Sequence, residues 1–403
     1  MKRDAIVLFT TRCLRMFAYG ALSVVLVLFL KAEGLNEGQV GLLLTLTLLG
    51  DVGLSLFLTT RADRFGRRKM LVIGAALMTL AGVVFASTNL LAILLCVATI
   101  CVLSPSDKEV GPFLSIEQAS LAETIHDESR TRVFAWYHLA GSLAAALGAL
   151  GAGFVVGALQ HQGAAGADMY RPIVIGYALA GLTIGLLFSL LGRGVEPTPA
   201  TARPESLPWH GLHKSRGVVL KLSALFALDA FGGGLILQSL VADWFTTKFN
   251  VSPALLGTIF FAGNLCAAAS ALGAAWLAKR IGLLNTMVFT HLPSNILLIL
   301  VPLMPTLPLA MAVFVLRFAI SQMDVPTRQS YTMAVVDKDE RAAAAGITTV
   351  ARSVGSGLAP LLAGLLMSRA EWIGLPFIVA GSVKIVYDVW LYYEFKAHPA
   401  QTK

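Results

Sequence analysis

The sequence predicts an all-α membrane protein with twelve transmembrane helices in two pseudo-symmetric six-helix bundles. Composition, a succession of long apolar segments and an internal repeat each support this fold class. Hydrophobic residues make up 56% of the chain and charged residues only 13%, whereas a soluble globular domain carries about 25% charged residues. We therefore expect lipid rather than water to surround most of the chain.

Twelve apolar segments follow one another along the chain, and each comes close to the ~20 residues that a helix needs to cross a bilayer. The predicted spans are 7–30, 38–59, 70–87, 90–121, 133–158, 172–192, 219–243, 253–277, 285–304, 307–335, 343–367 and 374–393. These spans leave no stretch long enough for a second soluble domain.

The two halves of the chain resemble each other at an offset of about 216 residues, as expected for a transporter built from repeats. Residues 62–66 read Ala-Asp-Arg-Phe-Gly, and residues 278–282 read Ala-Lys-Arg-Ile-Gly. A proline-rich polar stretch lies between the halves. We therefore predict an N-terminal six-helix bundle over 1–192, a cytoplasmic linker over 193–217 and a C-terminal six-helix bundle over 218–403.

The net charge of +8 indicates membrane orientation rather than nucleic-acid binding. About 19 of the 31 Lys and Arg lie in one set of predicted loops and termini, and about 4 lie in the other set. Because cytoplasmic loops carry the excess of Lys and Arg, both termini are predicted to be cytoplasmic. We expect a multi-pass protein of a bacterial-type inner membrane.

The loop between the second and third predicted helices carries the most specific motif. Residues 59–69 read Thr-Thr-Arg-Ala-Asp-Arg-Phe-Gly-Arg-Arg-Lys. This loop resembles the signature of the major facilitator superfamily, Gly-x-x-x-Asp-Arg-x-Gly-Arg-Arg/Lys-Arg/Lys, with Thr59 in place of the first glycine. The resemblance implies that fold and a conformational gate that stabilises the outward-facing state, formed by Asp63, Arg64, Gly66, Arg67 and Arg68. Alternatively, the basic residues only fix topology and contact lipid headgroups.

Charged side chains within the predicted spans are candidates for the substrate and proton pathway, because a charge at the bilayer centre costs at least ~2.5 kcal/mol. The candidates are Arg15, Asp51, Asp107, Lys108, Glu109, Glu117, Asp229, Arg317, Asp324 and Arg328. Three of them lie in residues 104–112, where prolines interrupt the fourth span in the manner of a discontinuous, cavity-lining helix. Alternatively, these three charges neutralise one another or lie at a water interface.

The repeat also predicts charge partners. Arg15 aligns with Asp229, and we expect these two side chains to pair across a central cavity. Glu117 aligns in the same way with Arg328. Elsewhere, Lys384 and Asp388 are spaced to pair along one helix, while Lys221 and Arg352 lie where their side chains are expected to reach a membrane surface.

The leading functional hypothesis is a secondary active transporter that moves a small molecule by alternating access. Export by proton antiport is the first choice, with the proton carried by one or more of Asp51, Glu117, Asp229 and Asp324. Proton-coupled uptake of an anionic solute is the alternative, because Arg15, Lys108, Arg317 and Arg328 are suited to a carboxylate or phosphate. A lipid flippase of the same fold is a further alternative.

An enzyme is disfavoured, because the sequence contains no phosphate-binding loop, no set of catalytic Ser, His and Asp, and no metal-ligand spacing. The four cysteines fall within predicted spans, so neither a disulfide framework nor a metal site is expected. We predict no catalytic residues, no cofactor and no nucleic-acid partner. The expected partners are a small-molecule substrate, protons and the lipid bilayer, with the chain acting as a monomer.

Overall fold

The computed structural model describes residues 3–106, 108–109, 111–124, 127–196, 212, 214–337 and 340–396. Within these ranges the chain is helical and contains no β-strand. The α-helices are α1 (Arg3–Ala32), α2 (Glu37–Phe65), α3 (Arg67–Ser87), α4 (Leu91–Ile100), α5 (Phe113–Thr124), α6 (Asp127–His161), α7 (Arg171–Ser189), α8 (Arg216–Gly234), α9 (Gln238–Phe249), α10 (Pro253–Ile281), α11 (Leu283–Leu300), α12 (Leu307–Ser321), α13 (Asp324–Val335), α14 (Arg341–Met367) and α15 (Leu375–Phe395).

The predicted all-α membrane fold is confirmed. In the described part of the chain, 11 helical segments are long and apolar enough to cross a membrane. Each of them coincides with a predicted span. The twelfth predicted span, the fourth in order, consists of the short apolar helix α4, a non-helical segment and α5.

The predicted interruption of the fourth span is present. Helix α4 ends at Ile100 and α5 begins at Phe113. Pro105 explains where the helix stops, because a proline ring clashes with the carbonyl four residues earlier, and that residue is Cys101. The break therefore begins one residue after the end of α4.

The seventh and tenth predicted spans are also broken, which the apolar pattern did not predict. Helix α8 ends at Gly234 and α9 begins at Gln238. Three consecutive glycines, residues 232–234, end α8, and each disfavours a helix by about 1 kcal/mol relative to alanine. Helix α12 ends at Ser321, where the ring of Pro326 clashes with the carbonyl of Gln322.

The chain forms two compact units. The first contains residues 1–203 and 237–261, and the second contains residues 204–236 and 262–403. Residues 237–261, which the repeat assigns to the second half of the sequence, thus belong to the first unit.

Polar contacts connect α9 to α1 within the first unit. Lys31, near the end of α1, lies 3.0 Å from Oδ1 and 3.2 Å from Oδ2 of the buried Asp243. The same ammonium group lies 3.2 Å from Oε1 of Glu37. Gln238 Nε2 donates a hydrogen bond of 2.9 Å to Oγ of Ser23.

Glycine allows close helix packing in both units. In the first unit, a Cβ added to Gly20 on α1 would overlap the carbonyl of Ala145 on α6, and one added to Gly148 would overlap the carbonyl of Phe17. In the second unit, Gly234 on α8 and Gly355 on α14 approach the carbonyls of Ser356 and Ala227 in the same way. Small residues thus let these helices approach each other closely.

The same glycine turn occurs once in each unit. Gly66 separates α2 from α3 with φ 103°, and Gly282 separates α10 from α11 with φ 85°. The N–H of each glycine donates a 2.9 Å hydrogen bond to the carbonyl four residues earlier. A side chain at a positive φ is strained, so the repeated motif retains glycine at the turn.

Replacing Gly20 by alanine tests the helix packing. Gly20→Ala is expected to destabilise the protein by about 1–3 kcal/mol, because the new methyl group overlaps the backbone of α6. Gly176→Ala is the matched control, since nothing lies within 4 Å of that position, and its effect should stay within about 1 kcal/mol. The measurement is the thermal unfolding midpoint of the purified protein. Equal midpoints for the two variants would contradict the close approach.

Candidate functional site

The first unit contains a buried ion pair between α1 and α5. Arg15 is completely buried, and so is Glu117. Nη1 of Arg15 lies 2.6 Å from Oε1 of Glu117, and Nη2 lies 2.7 Å from Oε2. The guanidinium therefore contacts the carboxylate through two parallel hydrogen bonds, the strongest geometry available to such a pair.

Glu109 and Arg12 extend this ion pair into a network of four charges. Glu109 accepts hydrogen bonds from Arg15 at 2.5 and 3.0 Å and lies 3.0 Å from Arg12. Tyr137 donates a 2.6 Å hydrogen bond to Glu117, and the guanidinium of Arg12 lies over its ring. Two cations thus oppose two carboxylates, and the network is electrically balanced.

The non-helical segment between α4 and α5 places Glu109 beside Arg15. Its backbone is fixed by Gly111, which donates a 2.6 Å hydrogen bond to Asp51 on α2. Tyr177 on α7 donates a 3.0 Å hydrogen bond to the carbonyl of Val102. Lys108 is exposed, and Asp107 lies outside the described residues.

The second unit contains a network centred on Asp229 of α8, which is 3% exposed. Lys384 on α15 donates a 2.5 Å hydrogen bond to Oδ1 of Asp229. Arg328 on α13 and Arg352 on α14 donate to Oδ2 at 3.3 and 3.2 Å. Arg328 also donates a 2.8 Å hydrogen bond to Asp324. Three helices therefore supply the cations that compensate one buried carboxylate.

His291 of α11 connects Asp229 to a second buried carboxylate. Its Nδ1 lies 2.9 Å from Oδ1 of Asp388, and its Nε2 lies 3.7 Å from Oδ1 of Asp229. Asn295 donates a 2.9 Å hydrogen bond to the other oxygen of Asp388. Both ring nitrogens of the imidazole thus face carboxylates.

Arg317 of α12 differs from the other cations of the second unit. Arg317 is only 8% exposed. Among the described residues, however, it forms no ion pair, and its Nε has no hydrogen-bond partner. Its guanidinium lies 5.2 Å from the ring centroid of Phe318.

The expected pairing of Arg15 with Asp229 is replaced by pairing inside each unit. Arg15 on the first helix contacts Glu117, and Asp229 on the seventh span contacts Arg328. Because these four residues align in the repeat, the same ion pair occurs twice with its polarity reversed. Each charge obtains a partner from its own unit, so neither needs the other for compensation.

One further expectation was wrong. Lys384 and Asp388 do not pair along α15, because Lys384 contacts Asp229 and Asp388 contacts His291. Partners from other helices replace this local interaction. Arg352, whose side chain is expected to reach a membrane surface, is 32% exposed at its side chain and also contacts Asp229.

Four residues of these networks were not predicted as site residues, namely Arg12, Tyr137, His291 and Asn295. Arg12 and His291 lie within predicted spans, so the cost of a membrane-embedded ionisable group was a signal that could have found them. Tyr137 and Asn295 are neutral and give no such signal. Their roles depend on tertiary contacts.

The gate motif is organised by Glu196, another residue that the sequence did not indicate. Its carboxylate accepts hydrogen bonds from the backbone N–H groups of Arg67 at 2.7 Å and Arg68 at 3.3 Å. A carboxylate at this position accepts hydrogen bonds from the free N–H groups at the start of α3, and its negative charge interacts favourably with the positive end of the helix dipole. Arg67 is buried and Arg64 is exposed, while the side chain of Asp63 lies outside the described structure.

Glu340 plays the corresponding role in the second unit. It accepts hydrogen bonds of 2.9 and 2.8 Å from the backbone N–H groups of Lys214 and Ser215, immediately before α8.

Among the described residues, no group of three or more His, Cys, Asp or Glu is arranged to hold a metal ion.

Comparison with known proteins identifies the family. The model of the Major Facilitator Superfamily matches residues 8–242 and 222–403. The chain belongs to the Major Facilitator Superfamily. Members of this superfamily are membrane transporters, and the chain is accordingly a transporter rather than an enzyme.

Individual relatives agree in fold over nearly the whole chain. The uncharacterized membrane protein YJR124C of Saccharomyces cerevisiae is 30% identical over 430 aligned residues, covering 100% of this chain and 96% of that protein. A mutant of the nucleoside transporter NupG superimposes with a TM-score of 0.75 at 14% identity, covering 98% and 100% of the two chains. A bacterial homologue of the human lysosomal transporter Spinster gives 0.74 at 14% identity, covering 97% and 96%.

Charge reversal tests the ion pair in the first unit of this superfamily member. Arg15→Glu and Glu117→Arg should each destabilise the protein by about 3–5 kcal/mol, because each leaves buried like charges together. The double variant should recover much of this loss. The measurement is the unfolding midpoint, together with the yield of monodisperse protein.

The control is the double reversal Arg15→Asp with Asp229→Arg. These residues have separate partners, so the costs of the two substitutions should add rather than cancel. If stability recovered in Arg15→Asp with Asp229→Arg but not in Arg15→Glu with Glu117→Arg, the contacts within each unit would not be the ones that compensate these charges.

Proposed function

We propose that the chain is a secondary active transporter that moves a small solute by alternating access and is driven by protons. The observation that carries this proposal is the position of His291 between Asp229 and Asp388. An imidazole accepts a proton on one nitrogen while donating from the other. His291 can therefore hold a proton between two buried carboxylates or pass it from one to the other.

Asp229 provides the link between protonation and conformation. Its charge is compensated by Lys384, Arg328 and Arg352 from three different helices. A buried carboxylate that loses a partner is costly unless it takes up a proton. A movement that separates Asp229 from one of these cations therefore favours protonation, and protonation favours the movement, as linkage requires.

The solute, direction and location are further parts of the proposal. Relatives include a nucleoside transporter, which supports a small organic solute. Export in exchange for protons is the proposed direction, on the resemblance to the superfamily as a whole. The proposed setting is a bacterial-type inner membrane, with a monomeric chain and both termini in the cytoplasm.

The conformational gate keeps its proposed composition of Asp63, Arg64, Gly66, Arg67 and Arg68. The contacts of Arg67 support this role. Besides its backbone bond to Glu196, its side chain donates 3.3 Å hydrogen bonds to the carbonyls of Ala119 and Val195. Arg67 thus connects the loop after α2 to the end of α5 and to the segment after α7.

Substitution of His291 tests proton coupling. We expect His291→Gln to lower proton-driven accumulation by about 5- to 150-fold, the range of a typical coupling free energy. Exchange of labelled for unlabelled solute needs no driving force and should persist. The measurement is flux into proteoliposomes with and without a pH gradient, using a solute first chosen by thermal-shift screening that includes a nucleoside, phosphate and citrate.

His161→Gln is the matched control, because His161 is exposed at the end of α6. This variant should transport like the wild type. Flux that follows a sodium gradient and ignores the proton gradient would refute the coupling, and so would unchanged driven flux in His291→Gln.

Reporter fusions test the orientation. A green fluorescent protein joined after Lys403 should fluoresce in bacterial cells, and alkaline phosphatase joined there should be inactive, because the lysine- and arginine-rich side is cytoplasmic. Alkaline phosphatase inserted after Arg369, between α14 and α15, should be active. The reverse pattern would contradict the proposed topology.

A further inference from the structure

We infer that the second unit binds the anionic group of the solute, a carboxylate or a phosphate, with Arg317 as its anchor and Arg352 as a second contact. The inference rests on the proposed function, because it names the class of solute that this transporter carries. The inference is drawn from a buried cation of the second unit, Arg317, that contacts no carboxylate among the described residues.

The charged groups in the membrane region of the second unit do not cancel. Among the residues that the structure describes there, the cations are Arg317, Arg328, Arg352 and Lys384, and the carboxylates are those of Asp229, Asp324 and Asp388. Four cations thus oppose three carboxylates when His291 is neutral, and protonation of His291 increases the excess. In the four-charge network of the first unit, Arg12 and Arg15 face Glu109 and Glu117 in equal number, and Asp51 beside it accepts a hydrogen bond from the backbone of Gly111.

The excess charge can be assigned to Arg317. The other three cations each contact a carboxylate, at 2.5 Å for Lys384, 2.8 Å for Arg328 and 3.2 Å for Arg352. Arg317 is about as buried as Lys384 and Arg328 but contacts only an aromatic ring among the described residues. A buried cation without a counter-charge is costly, so this position is explained by an anion that is present for part of the transport cycle.

The chemistry of the two arginines fits an oxyanion. A guanidinium presents N–H groups in a planar fork that matches the oxygens of a carboxylate or phosphate. Arg352 contacts Asp229 through one nitrogen, and its side chain is 32% exposed, which leaves further N–H groups available. Arg352 and Arg328 both contact Oδ2 of Asp229, so the second contact lies at the carboxylate on which the network of the second unit is centred.

Other solute classes fit less well. A neutral sugar or nucleoside leaves the charge of Arg317 uncompensated, and a cationic drug increases the excess of positive charge. An anion reduces it. The uncompensated charge of Arg317 thus favours an anionic solute over neutral or cationic solutes of similar size.

Thermal unfolding of the purified full chain tests this site with inorganic phosphate and citrate as probes. Each probe is compared with sodium chloride at equal ionic strength. We expect the wild-type midpoint to rise by about 2–4 °C at a saturating concentration of one of these anions, because a ligand that binds only the folded state stabilises it. Arg317→Gln should lose this rise, and its midpoint in sodium chloride should equal that of the wild type. If Arg317 were only a structural cation, the substitution would lower the midpoint in sodium chloride.

Two further variants keep the test decisive if Arg317→Gln does not fold. Arg317→Lys retains the charge and should show a reduced rise, and Arg352→Gln should weaken the response. Arg369→Gln removes a charge from an exposed position and should respond to phosphate and citrate like the wild type. An anion response that is the same in Arg317→Gln as in Arg369→Gln would overturn the inference.

The source of the anionic group is distinguished by a third probe, the short-chain lipid dihexanoyl phosphatidic acid. Stabilisation by phosphate or citrate assigns the site to a free anion. Stabilisation by the lipid alone, lost in Arg317→Gln, assigns it to a lipid headgroup and supports the flippase alternative. No stabilisation of the wild type by any of the three probes would overturn the inference.

This test is independent of the test of proton coupling. Binding is measured without a membrane or a gradient, so failure of coupling leaves the anion response intact. Conversely, proton-driven flux of a neutral solute together with no anion response would refute the anion site alone.

Discussion

Compensation of buried charge within each compact unit is the constraint on which the rest of the structure depends. A single charge in the membrane interior is expensive, and the chain contains many. The bidentate contact of Arg15 with Glu117 and the cluster around Asp229 reduce this cost by bringing together helices that are far apart in sequence. The helix breaks serve the same purpose, because the non-helical segment before α5 places Glu109 beside Arg15.

The inverted polarity of the two ion pairs shows how a duplicated architecture can acquire different tasks. The helices, the glycine contacts and the turns at Gly66 and Gly282 are alike in both units. The buried charges, in contrast, differ between the two units. The four-charge network of the first unit is balanced, whereas the described buried charges of the second unit include a cation without a carboxylate partner and an imidazole between two carboxylates.

Hydropathy was sufficient to predict the spans, the repeat and the interruption before α5, because those features depend on local composition and on proline. The partners of the charges depended on packing. His291 lies 97 residues from Asp388 and Glu117 lies 102 residues from Arg15, and no local spacing connects them. Alignment of the repeat correctly paired equivalent positions, but it suggested contact between the halves, whereas the equivalent residues make equivalent contacts within them.

The carboxylates of Glu196 and Glu340 have a consequence for the segment that joins the two units. Glu196 is bonded to the start of α3 in the first unit, and Glu340 is bonded to the residues that begin α8 in the second. The covalent connection therefore leaves one anchored point and arrives at another, whatever path it takes between them. Because residues 237–261 return to the first unit, the chain also passes between the units at two further places. The segment after Glu196 is therefore not the sole covalent link between the two units.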